Sequence, residues 1–207
     1  MNSSTGTSRH SPPTEAPWPA AAVAAPGARP LQLCPRELLL GHLQDALAAG
    51  DGRAGAHCIH ELWMRGEWPE HIENALQHLW QHAARSIPEW LPMRYVHWLP
   101  TVYEIAAGFH AARSGRTNVY LVLLDYSDHG SEPHGIYVGM SHYAPAQRFD
   151  QHKAGIRAAG CVLKRGLEVL TGPTLHLQFI ARKEAARIES ELAIALAEAG
   201  LRVEGGH

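Results

Sequence analysis

The sequence predicts an α+β fold, with an all-helical N-terminal region followed by a small three-stranded sheet flanked by helices. Two observations lead to this prediction. Apolar residues recur through residues 34–115 at the 3.6-residue spacing of amphipathic helices. At Asn118 the pattern changes to a nearly continuous run of apolar, β-branched and aromatic residues, NVYLVLLDY, which is typical of a central strand.

The first 33 residues differ in composition from the rest of the chain. They are rich in Ser, Thr and Ala and contain six of the 14 prolines. Such a segment buries too little apolar surface to offset the entropy lost on ordering, so we expect a disordered tail over residues 1–33. Residues 34–117 are then a helical region, and residues 118–207 are a domain built around the sheet.

Start and stop signals divide the helical region into segments. One helix ends at Gly50, a second begins at Pro69, and a third runs from Pro100 to near Gly115, with a shorter helix over residues 55–64. The region carries seven basic and nine acidic residues. This acidic balance disfavours contact with a phosphate backbone and makes the region a candidate surface for a protein partner.

The C-terminal domain begins with two strands, because a polar turn separates the first apolar run from a second short one, GIYVGMS. Residues 144–160 predict a helix opened by Pro145. Residues 174–181 alternate in polarity and predict the third strand, and residues 183–200 predict a final helix that ends at Gly200. The predicted order is β-β-α-β-α.

Composition limits the cellular setting and the classes of partner. The chain is 45% hydrophobic and 18% charged with a net charge of −2, so no strong overall field draws it to nucleic acid or to an anionic membrane. No apolar run reaches eighteen residues, so we expect no membrane span. The three cysteines are widely spaced and odd in number, which favours a reduced, cytoplasmic protein over a disulfide framework.

Four residues whose side chains could take part in catalysis or binding are expected to converge in the C-terminal domain. Arg148 and His152 are four apart and share one face of the predicted helix. Tyr137 lies in the strand before that helix, and Tyr120 lies in the neighbouring strand. An arginine suits phosphate because its planar fork donates two parallel hydrogen bonds. The set therefore indicates a site for a negatively charged substrate.

The same segment holds the clearly basic stretch of the chain. Residues 146–165 contain five basic side chains against one acidic one. Beyond Arg148 these are Lys153, Arg157, Lys164 and Arg165, which we expect to face a nucleic-acid backbone. The alternative is an ordinary solvated face.

Four motifs in this order, VYLVLLD, IYVG, RFDQH and a helix with AARIE, resemble the GIY-YIG nuclease superfamily. The resemblance covers residues 118–207. It implies a small three-stranded sheet with flanking helices and an endonuclease that hydrolyses phosphodiester bonds with one divalent metal, Mg²⁺ or Mn²⁺. The implied substrate is DNA, with RNA as the alternative.

The resemblance also assigns roles to individual residues. It matches Tyr120 and Tyr137 to the tyrosines of the two name-giving motifs and Arg148 to the family's catalytic arginine. It matches His152 to the histidine often found four residues later. Glu189 matches the metal-binding glutamate of the last helix.

Three alternatives stay open from the residues themselves. Helical periodicity places Glu184, Glu189 and Glu191 beside the apolar face of the last helix, and only the resemblance selects Glu189. Either a tyrosine or His152 could take the proton from water. The chain departs from the family pattern at Asn118, where the first motif has glycine. This departure supports an alternative function, a catalytically weak or inactive module that binds nucleic acid or protein.

Overall fold

A computed structural model describes residues 29–206 of the chain. Within this range, eight α-helices and a four-stranded mixed sheet form an α+β fold, which confirms the predicted class. The sheet has four strands, and the prediction of three is therefore wrong. No helix in the described range is both long and apolar enough to cross a bilayer.

Four helices precede the sheet, and local signals in the sequence fix their ends. Gly50 ends the first helix with a left-handed φ of 67°, and Pro69 opens the third. The Asp51 side chain caps the second helix by accepting the backbone N–H groups of Arg53 and Ala54. The helices are α1 (Arg36–Ala49), α2 (Gly52–Met64), α3 (Pro69–Ala83) and α4 (Leu99–Ala107).

Helix α4 is shorter than the sequence predicts. It ends at Ala107, whereas the expected helix continues to near Gly115. The reason lies in a side chain from a later segment, because Nε2 of His176 is 3.0 Å from the carbonyl oxygens of both Ala106 and Phe109. These contacts satisfy carbonyls at the end of the helix that a longer helix would have bonded to its own backbone.

The sheet has the strand order β3-β1-β2-β4. Its strands are β1 (Asn118–Asp125), β2 (His134–Ser141), β3 (Gly166–Val169) and β4 (Val203–Gly205). Strand β1 pairs antiparallel with β2 and β3, and β4 pairs parallel with β2. The predicted β1–β2 hairpin is confirmed. Seven of the eight residues of β1 are buried, which explains its continuous apolar run.

The prediction of a third strand over residues 174–181 is wrong. The chain there forms a short helix and a 3₁₀ turn, α7 (Thr171–Thr174) and Leu175–Leu177. Leu177 is buried but Phe179 is 57% exposed, so the alternating apolar residues do not share one face. The side-chain amide of Gln178 donates to the carbonyl of Val119 at 2.8 Å, so a side chain supplies the hydrogen bond to β1 at this point.

The predicted helix over residues 144–160 ends early, as α5 (Pro145–Lys153), and a second helix, α6 (Gly160–Arg165), begins only at its last predicted residue. Gly155 and Arg157 have φ values of 76° and 46°, which a right-handed helix cannot accommodate. The chain turns back between the two helices, and the N–H of Ala159 donates to Nδ1 of His152 at 2.9 Å. This turn positions part of the candidate site.

The final helix, α8 (Arg182–Glu198), confirms the predicted one closely and packs against the sheet. The side chains of β1 alternate between two cores. The odd-numbered residues from Val119 to Leu123 join a large cluster that includes apolar residues of α8 and of α1 to α4. The even-numbered residues from Tyr120 to Leu124 join a smaller cluster with residues of α5 and α6. The N-terminal helices therefore share a core with the sheet.

Part of the predicted tail is ordered. Residues 1–28 lie outside the described range, but two side chains of residues 29–33 contact the helical region. Leu31 is buried in the large core, and Arg29 donates two hydrogen bonds, of 2.7 and 2.9 Å, to the buried carboxylate of Glu61. Composition does not reveal the carboxylate on α2 that holds Arg29.

Candidate active site

Two tyrosines project from the same face of the β1–β2 hairpin. The register pairs Tyr120 with Gly139 and Val122 with Tyr137, and the two phenol rings have centroids 6.0 Å apart. A Cβ on Gly139 would lie 2.6 Å from the Tyr137 ring and 2.9 Å from the Tyr120 hydroxyl. The glycine of the IYVG motif is therefore required by the close approach of the two rings.

The imidazole of His152 orients one of these phenols. Its Nδ1 accepts the N–H of Ala159, so the single proton of the neutral ring sits on Nε2, which lies 2.9 Å from the Tyr120 hydroxyl oxygen and donates to it. Burial, and to a smaller extent the charge of Arg148, lower the pKa of His152 to about 4. The ring is neutral at pH 7 and its basic nitrogen is occupied, so His152 is poorly placed to take a proton from water.

Tyr120 and Tyr137 lie side by side, with ring centroids 6.0 Å apart, and each phenol shifts the pKa of the other. Burial raises the pKa of both phenols. The contact with Tyr120 opposes this rise at Tyr137, whereas the neighbouring Tyr137 adds to the rise in the pKa of Tyr120. Tyr137 is therefore the phenol that loses its proton at the smaller cost.

The guanidinium of Arg148 on α5 is held in place by the turn that follows the helix. It donates to the carbonyls of Ile156 and Arg157 at 3.2 and 2.8 Å and to the side-chain oxygen of Gln151 at 3.1 Å. Its charge opposes the rise in the pKa of Tyr120, so the guanidinium lies beside the phenols. The left-handed turn thus fixes a positive charge at the site.

Of the three acidic residues beside the apolar face of α8, the structure brings Glu189 to the tyrosines. Glu189 is 8% exposed, and its carboxylate raises the pKa of Tyr137. Glu184 and Glu191 instead form ion pairs with the exposed Arg187. Helical periodicity alone does not distinguish the three glutamates, whereas burial selects Glu189.

Within residues 29–206, no group of three or more His, Cys, Asp or Glu side chains is arranged to hold a metal ion. A single carboxylate nevertheless fits Mg²⁺, which keeps several waters and binds through one or two carboxylates together with substrate phosphates. Glu189, buried beside Tyr137, has the chemistry for this role. The donor set thus fits an ion that is shared with a phosphate substrate.

The four basic residues predicted to contact nucleic acid do not act alike in the structure. Lys153 donates to backbone carbonyls of α6 and β3, and Arg165 forms an ion pair with Asp128, so both brace the fold. Lys164 is exposed. Arg157 lines a cavity together with Arg148, whereas the other three residues do not line that cavity.

Asn118 contributes to the site in a way that the sequence did not reveal. It is buried, its side-chain amide donates to the carbonyl of Tyr143 at 2.9 Å, and its side-chain oxygen accepts the N–H of Phe179 at 2.9 Å. It thereby ties the start of β1 to the turn after β2 and to the segment before α8. The sequence feature that could have pointed to this role is a polar residue at the start of an apolar run, at a position where the family that the chain resembles has glycine.

Strands β1 and β2 and helices α5 and α8 thus gather five side chains at one place: Tyr120, Tyr137, Arg148, His152 and Glu189. These are the residues that the sequence selected for the catalytic and metal-binding roles. Comparison with known proteins gives no match, since no family model, curated protein or solved structure matches the chain.

Proposed function

We propose that the chain is a GIY-YIG-type endonuclease that hydrolyses phosphodiester bonds in DNA with one Mg²⁺ or Mn²⁺ ion. The observation that supports this most is the cluster of His152, Tyr120 and Tyr137, in which His152 and Tyr120 share a 2.9 Å hydrogen bond. Arg148 and Glu189 lie beside it. Hydrolysis needs an acceptor for a water proton, positive charge for the nonbridging oxygens and help for the leaving oxygen. The cluster offers a group for each requirement.

In this proposal Tyr137 accepts the water proton as a phenolate, after its own phenol proton has passed to bulk solvent. Its phenolate is stabilised by the neighbouring Tyr120, whose hydroxyl accepts a hydrogen bond from Nε2 of His152. The pKa of Tyr137 is raised by burial and by the charge of Glu189, so the phenol is protonated in the free protein at pH 7. Glu189 would hold the divalent ion, which would neutralise charge at the phosphate, assist the leaving oxygen and cancel the carboxylate charge that raises this pKa.

Arg148 stabilises the negative charge that develops on the nonbridging oxygens. The turn after α5 already holds its guanidinium in place, so no reorganisation is needed when the substrate arrives. Loss of such a preorganised group typically raises the barrier by about 3–4 kcal/mol, or roughly 10²–10³ in rate.

The test is incubation of the purified protein with single- and double-stranded DNA and RNA in Mg²⁺, Mn²⁺ or EDTA. We expect cleavage of DNA that depends on the metal and falls by about 10² or more in Arg148→Ala. Arg187→Ala, a change on the exposed side of α8, is the control and should cut like wild type. No cleavage of any substrate in either metal would reject the proposal.

A second candidate is a nucleic-acid-binding module on the same fold. It is favoured by the raised pKa of both phenols, which leaves the site without an ionised base in the absence of metal. Such a protein would hold DNA in EDTA and release no product when Mg²⁺ or Mn²⁺ is added. The same incubation, followed on a native gel, separates the two candidates.

A further inference from the structure

A cavity of about 600 Å³ opens beside the candidate active site and shares Arg148 with it. Its lining includes three arginines, Arg148, Arg157 and Arg182, together with His142. None of the described residues that line it is acidic. A concave surface with clustered guanidinium groups and no carboxylate is suited to a phosphate group.

Two of these guanidinium groups are available to a ligand. Among residues 29–206, neither Arg157 nor Arg182 has a side-chain hydrogen bond or an ion pair, whereas Arg165 and Arg187 are both paired with carboxylates. Arg157 is held with its left-handed φ of 46° at a turn whose carbonyl binds the neighbouring Arg148. Backbone strain of this kind in a non-glycine residue is common where a side chain is positioned for function.

The rest of the cavity lining is mixed: it includes the polar Thr117, Ser141 and Gln151, the apolar Met140 and Ile156, and the aromatic Tyr143. Tyr143 and Ile156 are 48% and 55% exposed. The backbone of Tyr143 is fixed on both sides, since its carbonyl accepts from the buried Asn118 and its N–H donates to the Ser141 hydroxyl at 3.1 Å. A fixed turn thus presents an exposed aromatic ring next to the unpaired arginines.

We propose that this cavity binds one unpaired nucleotide adjacent to the scissile phosphate, with its phosphate on Arg157 and Arg182 and its base on the ring of Tyr143. The inference rests on the proposed function, because Arg148 joins the cavity to the phenols. A base inside a continuous duplex is stacked on both faces and cannot lie on Tyr143. The substrate class is therefore nucleic acid with an unpaired segment at the cut site, such as a single strand or a flap.

The experiment measures binding in EDTA, so that it does not depend on cleavage. Fluorescence anisotropy follows a labelled single-stranded oligonucleotide and the blunt duplex of the same sequence. We expect Tyr143→Ala and Arg182→Ala each to weaken binding of the single strand about tenfold or more. Lys183→Ala, which changes an exposed neighbour outside the cavity, serves as the control and should bind like wild type.

Three results would overturn the inference: equal affinity of the wild type for single strand and duplex, unchanged binding by Tyr143→Ala, or a free nucleoside monophosphate that binds as tightly as the oligonucleotide. Melting temperatures of the variants check their folding. A chain that binds the single strand through these residues but never cuts would refute the nuclease proposal and leave the cavity assignment intact. A chain that cuts but shows any of the three results would refute the cavity assignment and leave the nuclease proposal intact.

Discussion

Replacing Gly139 by alanine should inactivate the protein without unfolding it. The new Cβ would lie 2.6 Å from the Tyr137 ring, whereas carbon atoms in contact are about 3.5 Å apart, so the ring must move by about 1 Å. The same Cβ lies 2.9 Å from the Tyr120 hydroxyl, which makes a 2.9 Å hydrogen bond with His152. A misplacement of about 1 Å at reacting groups costs roughly 10² in rate.

The matched control is Gly135→Ala in the same strand. Its Cβ would lie 2.8 Å from the ring of Tyr126, outside the cluster of site residues, so it overpacks β2 by a similar amount. Both variants should lose about 1–3 kcal/mol of folding stability, measured by denaturant titration, but only Gly139→Ala should lose cleavage. If Gly139→Ala keeps more than about a tenth of the wild-type rate, the two phenols do not need their present geometry and the mechanism is wrong.

Two further pairs of substitutions separate the roles of neighbouring residues. Tyr137→Phe should lower the cleavage rate by about 10² or more and Tyr120→Phe by less, because the first removes the proton acceptor and the second removes a neighbour that stabilises it. Equal losses would contradict this division of roles. Glu189→Gln should abolish the dependence of the cleavage rate on Mg²⁺ concentration. Glu191→Gln only loses an ion pair with Arg187, so its rate should depend on Mg²⁺ as in the wild type. An inactive Glu191→Gln would mean that the metal binds two residues further along α8.

The parts of the fold that the sequence predicted well are those whose signal is local. The run at β1 is apolar because both faces of the strand are buried. Helix α8 is marked by its apolar face and by the glycine that follows it. The failures depend on contacts that are distant in sequence. The alternating segment at 174–181 is no strand because a side chain, Gln178, reaches β1, and α4 ends early because His176 reaches its carbonyls.

For the candidate site, sequence order identified residues that the fold gathers, but not their relations. The spacing of Arg148 and His152 predicts a shared helix face, and both do lie on α5. No pattern shows that the turn after α5 uses left-handed residues to hold Arg148 and to fix the tautomer of His152. Arg182 is 34 residues from Arg148 in sequence, and only the fold places both in one cavity.

The last prediction concerns the boundary of the predicted tail. Deletion of residues 1–28 should leave the melting temperature unchanged, since their composition offers little to bury. Deletion of residues 1–33 should lower it, because Leu31 leaves the core and Arg29 leaves Glu61. Burial of a leucine contributes about 1.5–3 kcal/mol, and a hydrogen bond to a charged group about 1.5–3 kcal/mol. A loss of about 3 kcal/mol corresponds to a fall of roughly 6–12 °C for a chain of this size.

The ionic part of this loss should depend on pH in a defined direction. Burial raises the pKa of Glu61, but hydrogen bonds from Arg29 and Arg65 outweigh burial and hold this pKa below its ordinary value. A carboxyl whose pKa is lower in the folded than in the unfolded state stabilises the fold above its unfolded pKa of about 4.3. This stabilisation is lost as the pH falls through the folded pKa. Arg29→Ala, made in the chain that lacks residues 1–28, should therefore melt below its parent at pH 7, and the gap should close on acidification. A gap that stays constant down to pH 3 would mean that Arg29 acts through packing and not through the charge of Glu61.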